Sequence, residues 1–267
     1  MRRTLSRLSI PTMPALVLLV LVGLSPQAGG QQPYKPPRTA DGHPDLMGVW
    51  QVVNAASFDL EDHPATLGVP AGLGVVEGGE IPYKPEALAQ RNKNRQERLT
   101  ADPAAKCFLP GVPRVTYMPF PFQIFQDSVG VLIIYEYVDA MRQVYTGGGL
   151  HAKHPEGRDG AWMGDSRGRW EGDTLVVDVA GFNDQTWLDA SGNFHGERLH
   201  VVERYTRTAP DHMKYEATIE DPDVFTRPWK ITMPLYRRQE QPARLLEYYC
   251  PHDVDVAKAQ KAAAEKK

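Results

Sequence analysis

Apolar and polar residues alternate with a period of two through much of the chain after residue 120, which is the pattern of strands with one buried face. In the segment around residue 203, for example, Val201, Glu203 and Tyr205 fall on one face and Val202 and Arg204 on the other. Short polar turns separate such runs. Alternating runs joined by tight turns predict a β-meander with one face of each strand in the core.

About ten runs predict strands. They are GVWQVV, FQIFQD, VGVLIIYEYV, MRQVYTG, RGRWEG, DTLVVDVAGF, ERLHVVERYTR, HMKYEATIE, RPWKITMPLYRR and RLLEYYC. Consecutive antiparallel strands in this number expose unpaired edges unless the sheet closes, and closure into a barrel removes the edges. We therefore predict an all-β fold, an antiparallel meander barrel of about ten strands, with a two-sheet β-sandwich as the alternative.

One segment predicts a helix. Residues 84–100 have a proline in the first turn, few apolar residues and many charges, which is typical of a helix on the surface. Residues 31–45 are rich in proline and predict an extended lead-in. We predict that residues 46–250 form a single barrel domain. The prolines of CFLPGVPRVTYMPFPF exclude that stretch from a central strand, so we expect it to wrap an edge or a barrel mouth.

The two ends of the chain differ from the barrel domain. Residues 1–30 combine a basic start, MRRTLSR, with the apolar run PALVLLVLVGL and a small-residue stretch, which predicts a signal peptide. The run is shorter than the roughly 17–25 residues of a membrane span. We expect a periplasmic or secreted protein with no membrane span after cleavage, and a charged tail over residues 251–267.

The chain has two cysteines, Cys107 and Cys250. Disulfides persist in the oxidising compartments to which exported proteins go, so we predict a bond between them, with two separate buried thiols as the alternative. No C-x-x-C motif is present, and the sequence gives no sign of a zinc ribbon or a thioredoxin-like site.

Composition narrows the classes of function. With 42% hydrophobic residues and a net charge of -3, the chain suits a globular domain and lacks the basic footprint of a nucleic-acid-binding protein. There is no P-loop, no dinucleotide-binding glycine pattern between a strand and a helix, and no G-x-S-x-G motif. We expect no organic cofactor, and the sequence does not define the oligomeric state.

Several motifs carry a resemblance to known proteins. The stretch DLMGVW resembles the G-x-W opening of lipocalin-like barrels, with Gly48 and Trp50 in those places, and in such barrels the Trp plugs the closed end. The stretches PDLMGVWQ, CFLPGVPR, GDSRGRWEGDTLVVDVAGFNDQTWLD and LHVVERYTR resemble a family of secreted bacterial proteins of unknown function. The resemblance covers most of the mature chain and implies a secreted β-barrel, but no reaction. The long entry over residues 31–121 and the extended loops depart from small lipocalins.

Candidate chemistry concentrates in two loops, GGGLHAKHPEGRDGAWMGDSRGRW and GFNDQTWLDASGNFHGERLH. Two strands separate them, so both can lie at one barrel end. Histidine exchanges protons near neutrality, and a neighbouring carboxylate orients it. We predict an acid–base site of His195 and His151 with Asp165 and Asp184, in which Asp184 or Asp165 pairs with His195. The predicted ligand-binding residues are Trp187, Trp162, Asn183, Phe194 and Glu197.

These residues leave three hypotheses for function. The first is a small-molecule pocket at the barrel mouth, used by a cofactor-independent lyase, isomerase or hydrolase that acts on an apolar or aromatic molecule. The second is a non-catalytic binding or carrier protein of the cell envelope, and the third is a structural envelope protein. A metal at His151-x-x-His154 or at His195 and His200 is a weaker alternative. The first pair lies on a glycine-rich loop, and neither an H-E-x-x-H motif nor a compact facial-triad spacing is present.

Overall fold

Nine strands close into one barrel. The computed structural model describes residues 34–147, 154 and 160–250, and its strands follow each other around the barrel in chain order. They are β1 (Gly48–Gln51), β2 (Phe122–Gln126), β3 (Gly130–Tyr135), β4 (Met141–Tyr145), β5 (Asp165–Glu171), β6 (Thr174–Ala180), β7 (His200–Ala209), β8 (His212–Glu220) and β9 (Trp229–Arg237). The α-helices of these residues are α1 (Pro85–Ala101) and α2 (Arg114–Tyr117), and short 3-10 turns lie at Pro103–Lys106 and Tyr137–Asp139. The predicted all-β barrel with a surface helix is confirmed.

Strand direction departs from a simple meander at one place. All neighbouring strands pair antiparallel except β4 and β5, where Val144 pairs with Ser166 and Tyr145 with Arg167 in parallel. Asp165, where β5 begins, therefore lies at the barrel end at which β4 began, and the two strands run in the same direction. Alternation specifies the faces of a strand but not its direction, and the antiparallel prediction is therefore wrong at this pair.

The tenth predicted strand, RLLEYYC, does not form. Residues 244–250 are irregular, and Leu246 and Tyr249 are exposed. The side chain of Tyr248 instead packs edge-on against Phe120 and Tyr137, with ring centroids 5.4 and 5.0 Å away. Because β9 already pairs with β1, the closed sheet offers no free edge to another strand.

Trp50 closes one end of the barrel, as the lipocalin-like opening implies. Its side chain is fully buried, and its indole N–H donates to the carbonyl of Leu46 at 2.9 Å. The guanidinium groups of Arg207 and Arg237 lie 5.6 and 5.8 Å from the Trp50 rings. These contacts join the chain segment before β1 to strands β7 and β9.

The opposite end is capped by longer segments, among them α2, whose four residues are all buried. Arg114 of α2 donates two hydrogen bonds to the carboxylate of Asp102, at 2.8 and 2.7 Å. The hydroxyl of Tyr117 donates to the carbonyl of Leu188 at 2.7 Å. The proline-rich stretch thus covers a barrel mouth, one of the two positions that its prolines predict.

Helix α1 lies on the surface, as predicted, and its larger apolar residues are not the ones that it buries. Leu88 and Leu99 are exposed, whereas Ala87 and Asn94 are buried. The Asn94 amide donates to the carbonyl of Gly192 at 3.3 Å. A Cβ atom at Gly192 would lie 2.7 Å from the backbone nitrogen of Arg95, so the close contact between helix and loop requires glycine at this position.

The predicted disulfide between Cys107 and Cys250 is present, with the two Cα atoms 6.0 Å apart. No helix in the described part of the chain is both long and apolar enough to cross a bilayer. The predicted signal peptide over residues 1–30, the first three residues of the lead-in and the tail over residues 251–267 lie outside the described residues.

We expect reduction of this disulfide to destabilise the protein, because the bond joins residues 143 positions apart. A crosslink that closes so long a loop is expected to contribute roughly 2–5 kcal/mol to the free energy of unfolding. Thermal unfolding should therefore move to lower temperature with a reducing agent, and equally in C107S and C250S. A reductant-induced decrease that persists in C107S would contradict this assignment, because that variant has no disulfide to reduce.

Candidate functional site inside the barrel

A group of polar side chains lies inside the barrel among apolar neighbours, and we refer to it as the inner polar cluster. Each member has at most 3% of its surface exposed. The cluster consists of Thr116, Tyr135, Arg142, Ser166, Glu203, Tyr205 and Tyr215. Polar and charged side chains are seldom buried this fully unless they are paired, so their contacts define what the cluster can do.

Strand alternation directs these side chains inward. Glu203 lies between the buried residues Val201 and Tyr205 on the inner face of β7. Arg142 shares its face of β4 with the fully buried Val144. Because side chains two positions apart on a strand point the same way, both charges enter the apolar core. Thr116 comes from α2, which is fixed in place by the bonds of Arg114 and Tyr117.

An ion pair forms the centre of the cluster. Nη2 of Arg142 donates to Oε2 of Glu203, and Nε of Arg142 donates to the hydroxyl of Ser166 at 2.8 Å. Oε1 of Glu203 accepts hydrogen bonds from the hydroxyls of Tyr205 at 3.0 Å and Tyr215 at 2.7 Å. Both carboxylate oxygens are therefore engaged, which offsets part of the cost of burying the charge.

Burial and the Glu203 charge keep the surrounding hydroxyls protonated. Burial first, and then the carboxylate of Glu203, raise the pKa values of Tyr205 and Tyr215 well above the usual range. Burial also raises the pKa of Tyr135, although Arg142 opposes the shift. For Arg142 burial is the largest effect and opposes the charged form, but the charge and hydrogen bond of Glu203, together with Tyr135 and Tyr205, raise the pKa overall. The cluster thus combines neutral hydroxyl groups with one cation and one anion.

Three atoms of the cluster keep unused hydrogen-bonding capacity. Oγ1 of Thr116, the hydroxyl of Tyr135 and Nη1 of Arg142 are buried and form no well-aligned hydrogen bond within residues 34–147, 154 and 160–250. Tyr135 does interact with the side chains of Thr116 and Arg142, and Tyr205 with that of Thr116, closely enough to lower the pKa values of both tyrosines against the effect of burial. Each unsatisfied buried polar group costs about 1–3 kcal/mol. The hydrogen-bonding capacity of these three atoms is therefore incompletely used by the fold.

The two loops predicted to carry chemistry do meet at one barrel end. Asp165 at the start of β5 pairs with Ala180 at the end of β6. Beyond the strands, Ala161 bridges Phe182, and the backbone N–H of Asn183 donates to the carbonyl of Ala161 at 3.0 Å. The shared location that two intervening strands predict is confirmed for the described part of the loops.

His195 does not take the predicted partners. Its side chain is buried, with Nε2 2.6 Å from the hydroxyl of Thr186 and Nδ1 2.9 Å from the carbonyl of Gly196. A carbonyl only accepts, so Nδ1 carries the proton and Nε2 accepts from Thr186. Burial lowers the pKa of His195. The residue is thus a neutral imidazole with both nitrogens engaged, and it forms no hydrogen bond to Asp165 or Asp184.

The other predicted site residues have separate environments. Asp184 and Glu197 are exposed. The Asn183 amide donates to the carbonyl of Gly160 at 3.3 Å. Trp162 stacks on Phe108 with ring centroids 5.1 Å apart, and Phe194 stacks on Tyr83 at 6.0 Å. Trp187 forms a backbone bridge with Phe194. His151 lies outside the described residues.

A row of histidines and carboxylates links the outer faces of β5, β6 and β7. His154 lies 3.0 Å from Asp165 through Nδ1 and 2.9 Å from Asp178 through Nε2, and His200 lies 2.9 Å from the same Asp178 oxygen. The hydrogen bond from His200 lowers the pKa of Asp178 to about 2, and Asp178 raises that of His200. No group of three or more such side chains in the described residues has the arrangement of a metal site.

One residue, Glu203, indicates the inner polar cluster from the sequence alone. Glu203 falls on the same face as Val201 and Tyr205, and a charge on an apolar face needs a buried partner. On the opposite face of the same strand, Arg204 donates to Glu171 at 2.8 Å. Both residues form ion pairs, Arg204 with Glu171 on the outside of the barrel and Glu203 with Arg142 inside it.

Comparison with known proteins adds little to this description. No protein-family model matches the chain, and no curated relative matches it, so membership in a secreted bacterial family stays a prediction. Among solved structures, a mutant of the fluorescent protein UnaG is similar at 12% identity, over 73% of this chain and 97% of that one, with a TM-score of 0.32. A likeness this weak says nothing about the ligand of this protein.

The ion pair gives a test of the cluster's electrostatics. In Arg142→Met the carboxylate of Glu203 loses its cation inside the barrel, and we expect the free energy of unfolding in urea to fall by about 3–5 kcal/mol. Arg142→Met combined with Glu203→Leu removes both charges and should recover most of that loss. A double variant no more stable than Arg142→Met would show that an unpaired charge is not the cause.

The row of histidines and carboxylates predicts a pH-dependent contribution to stability. The lowered pKa of Asp178 stabilises the fold above about pH 4, and this contribution is lost as the pH falls toward 2. The raised pKa of His200 stabilises the fold below about pH 6.5 and is lost as the pH rises through the folded value. The effect should be modest, because the two side chains are 34% and 39% exposed.

Unfolding of the native protein and of Asp178→Asn at several pH values measures this contribution. The native protein should exceed the variant in stability most between about pH 4 and 6.5, with a smaller difference on either side. Asp184→Asn changes an exposed carboxylate nearby and serves as the matched control. A difference between the native protein and Asp178→Asn that is the same at every pH would refute the proposed linkage.

Proposed function

We propose that this protein binds a small, largely apolar molecule inside its barrel, with the inner polar cluster as the anchor for one polar group of that molecule. Ligand sites in proteins are commonly apolar walls with a few convergent polar groups. The inner face here has that composition, since the cluster lies among buried residues such as Ile133, Val177 and Ala217. Binding is the second hypothesis that the sequence raises, placed deeper in the barrel than the mouth.

The observation that carries this proposal is the set of unpartnered atoms on Thr116, Tyr135 and Arg142. If these positions served only to stabilise the core, apolar side chains there would give a higher free energy of unfolding. A bound molecule that supplies a hydrogen-bonding atom removes the cost of leaving all three unsatisfied. A bound molecule therefore accounts for three buried polar atoms that packing alone leaves incompletely satisfied.

We propose further that the protein acts outside the cytoplasm. The disulfide between Cys107 and Cys250 supports this, because such bonds persist in oxidising compartments. The signal-peptide pattern of residues 1–30 points the same way.

An acid–base enzyme is the second candidate function. One observation favours it: Asp178 links His154 and His200 at the barrel end where the two polar loops meet. A carboxylate that orients an imidazole is the usual arrangement of a general base. In this hypothesis His200 takes the role that the sequence assigned to His195, whose nitrogens are both engaged.

Binding of an apolar fluorescent probe, N-phenylnaphthylamine, tests the leading proposal. We expect saturable binding to the native protein at one site per chain. Ala217→Phe places a large side chain in the interior beside Glu203, with which Ala217 pairs across the strands, and should abolish binding. Thr218→Phe places the same side chain on the outer face of β8 and should leave binding intact.

Circular dichroism first establishes that both variants keep the β-sheet structure of the native protein, since overpacking a core typically costs about 1–3 kcal/mol. Two outcomes would contradict interior binding. One is a native protein that shows no saturable binding, and the other is equal binding by the two phenylalanine variants.

A further inference from the structure

The hydrogen-bonding groups of the inner polar cluster restrict the chemistry of the molecule that it would hold, and this inference rests on the proposed function above. Nη1 of Arg142 carries only N–H groups and cannot accept a hydrogen bond. The hydroxyls of Tyr135 and Thr116 can each donate one. The partner common to the three atoms is therefore a hydrogen-bond acceptor with more than one lone pair, which an oxygen atom provides.

The charge balance of the cluster further restricts that oxygen. The cation of Arg142 is already paired with the anion of Glu203, so the buried cluster is neutral overall. A carboxylate or phosphate would add a negative charge with no cation to compensate it, and an uncompensated buried charge is costly. A fatty-acid headgroup is thus a poor match for this site.

Two of the tyrosines support the same conclusion. Burial raises the pKa values of Tyr205 and Tyr215, and the Glu203 carboxylate raises both further. A pKa raised by a neighbouring anion means that the surroundings of these two hydroxyls disfavour additional negative charge. At Tyr135 burial raises the pKa, and the Arg142 cation opposes it more strongly than Glu203 adds to it.

We infer that the inner polar cluster recognises a neutral carbonyl group, such as that of a ketone, ester, lactone or amide, on an otherwise apolar molecule. The carbonyl oxygen lies between Thr116, Tyr135 and Arg142 and accepts hydrogen bonds from them. The rest of the molecule contacts the apolar inner faces of the strands. The three donors distinguish such a ligand from a hydrocarbon, and the neutral charge of the cluster distinguishes it from an acid.

A matched pair of fluorescent probes tests this inference: the methyl ester of dimethylaminonaphthoic acid and the free carboxylate, which share their ring system. At neutral pH we expect the native protein to bind the ester at least about tenfold more tightly than the carboxylate. The infrared carbonyl stretch of the bound ester should move to lower frequency than in an apolar solvent, because donors hold the oxygen.

Two conservative variants identify the atoms. Tyr135→Phe and Thr116→Val each remove one unpartnered hydroxyl and leave the ion pair intact. Each should weaken ester binding by about two- to tenfold, the effect of one hydrogen bond. Neither should change the binding of N-phenylnaphthylamine, which has no carbonyl. Tyr236→Phe, on the outward-facing side of β9, provides a matched control that should bind the ester as the native protein does.

The outcomes separate this inference from the proposed function. Tighter binding of the carboxylate than of the ester overturns the inference and leaves interior binding standing. Ester binding that is unchanged in both Tyr135→Phe and Thr116→Val does the same, and so does binding of N-phenylnaphthylamine alone, which would mean that the three atoms hold only water. Failure of all three probes to bind overturns the proposed function as well.

Discussion

The pairing of β1 with β9 at Trp50 is the contact on which the barrel depends. Trp50 pairs with Arg237 and Gln51 with Tyr236, and this short ladder turns a nine-stranded sheet into a closed one. The Trp50 ring, buried under Arg207 and Arg237, adds packing at this two-pair ladder. Closure removes the two sheet edges. It also excludes a tenth strand and encloses every inward side chain of the nine.

In an enclosed interior, removing a charge from water has a high free-energy cost. The presence of charged residues in the inner polar cluster therefore requires an explanation. Replacing a buried ion pair by apolar residues of similar size is often neutral or stabilising. Arg142 and Glu203 are therefore poorly explained as a device for stability. The unpartnered hydroxyls of Thr116 and Tyr135 add a further cost. A site that recognises a molecule explains both costs, because the same groups that destabilise the empty core are those that a ligand would satisfy.

Period-two alternation was sufficient to predict the nine strands that form, and the need to remove sheet edges favoured their closure into a barrel. The buried place of Trp50 was implied by the resemblance of DLMGVW to the opening of lipocalin-like barrels. Alternation failed where the outcome depends on distant parts of the chain. The parallel pairing of β4 with β5 is set by a long connection, and the strand predicted at residues 244–250 has no free edge to join. The partner of Glu203 is 61 residues away in sequence. Alternation places Glu203 on the inner face but cannot identify Arg142 across the barrel.

The predicted pairing of the loop residue His195 with a carboxylate is not found, for a different physical reason. Polar residues in loops are conspicuous in a sequence, but much of their hydrogen-bonding capacity is used to hold the loop itself. Asp189 accepts from the backbone N–H groups of Leu60, Ser191 and Asn193. His195 is engaged by Thr186 and Gly196 in the same way. Chemistry requires groups with capacity to spare, so the useful question for each polar residue is whether its partners are already supplied by the fold. The fold does not fully supply the partners of Tyr135, Thr116 and Arg142. The candidate site therefore lies inside the barrel and not in the loops.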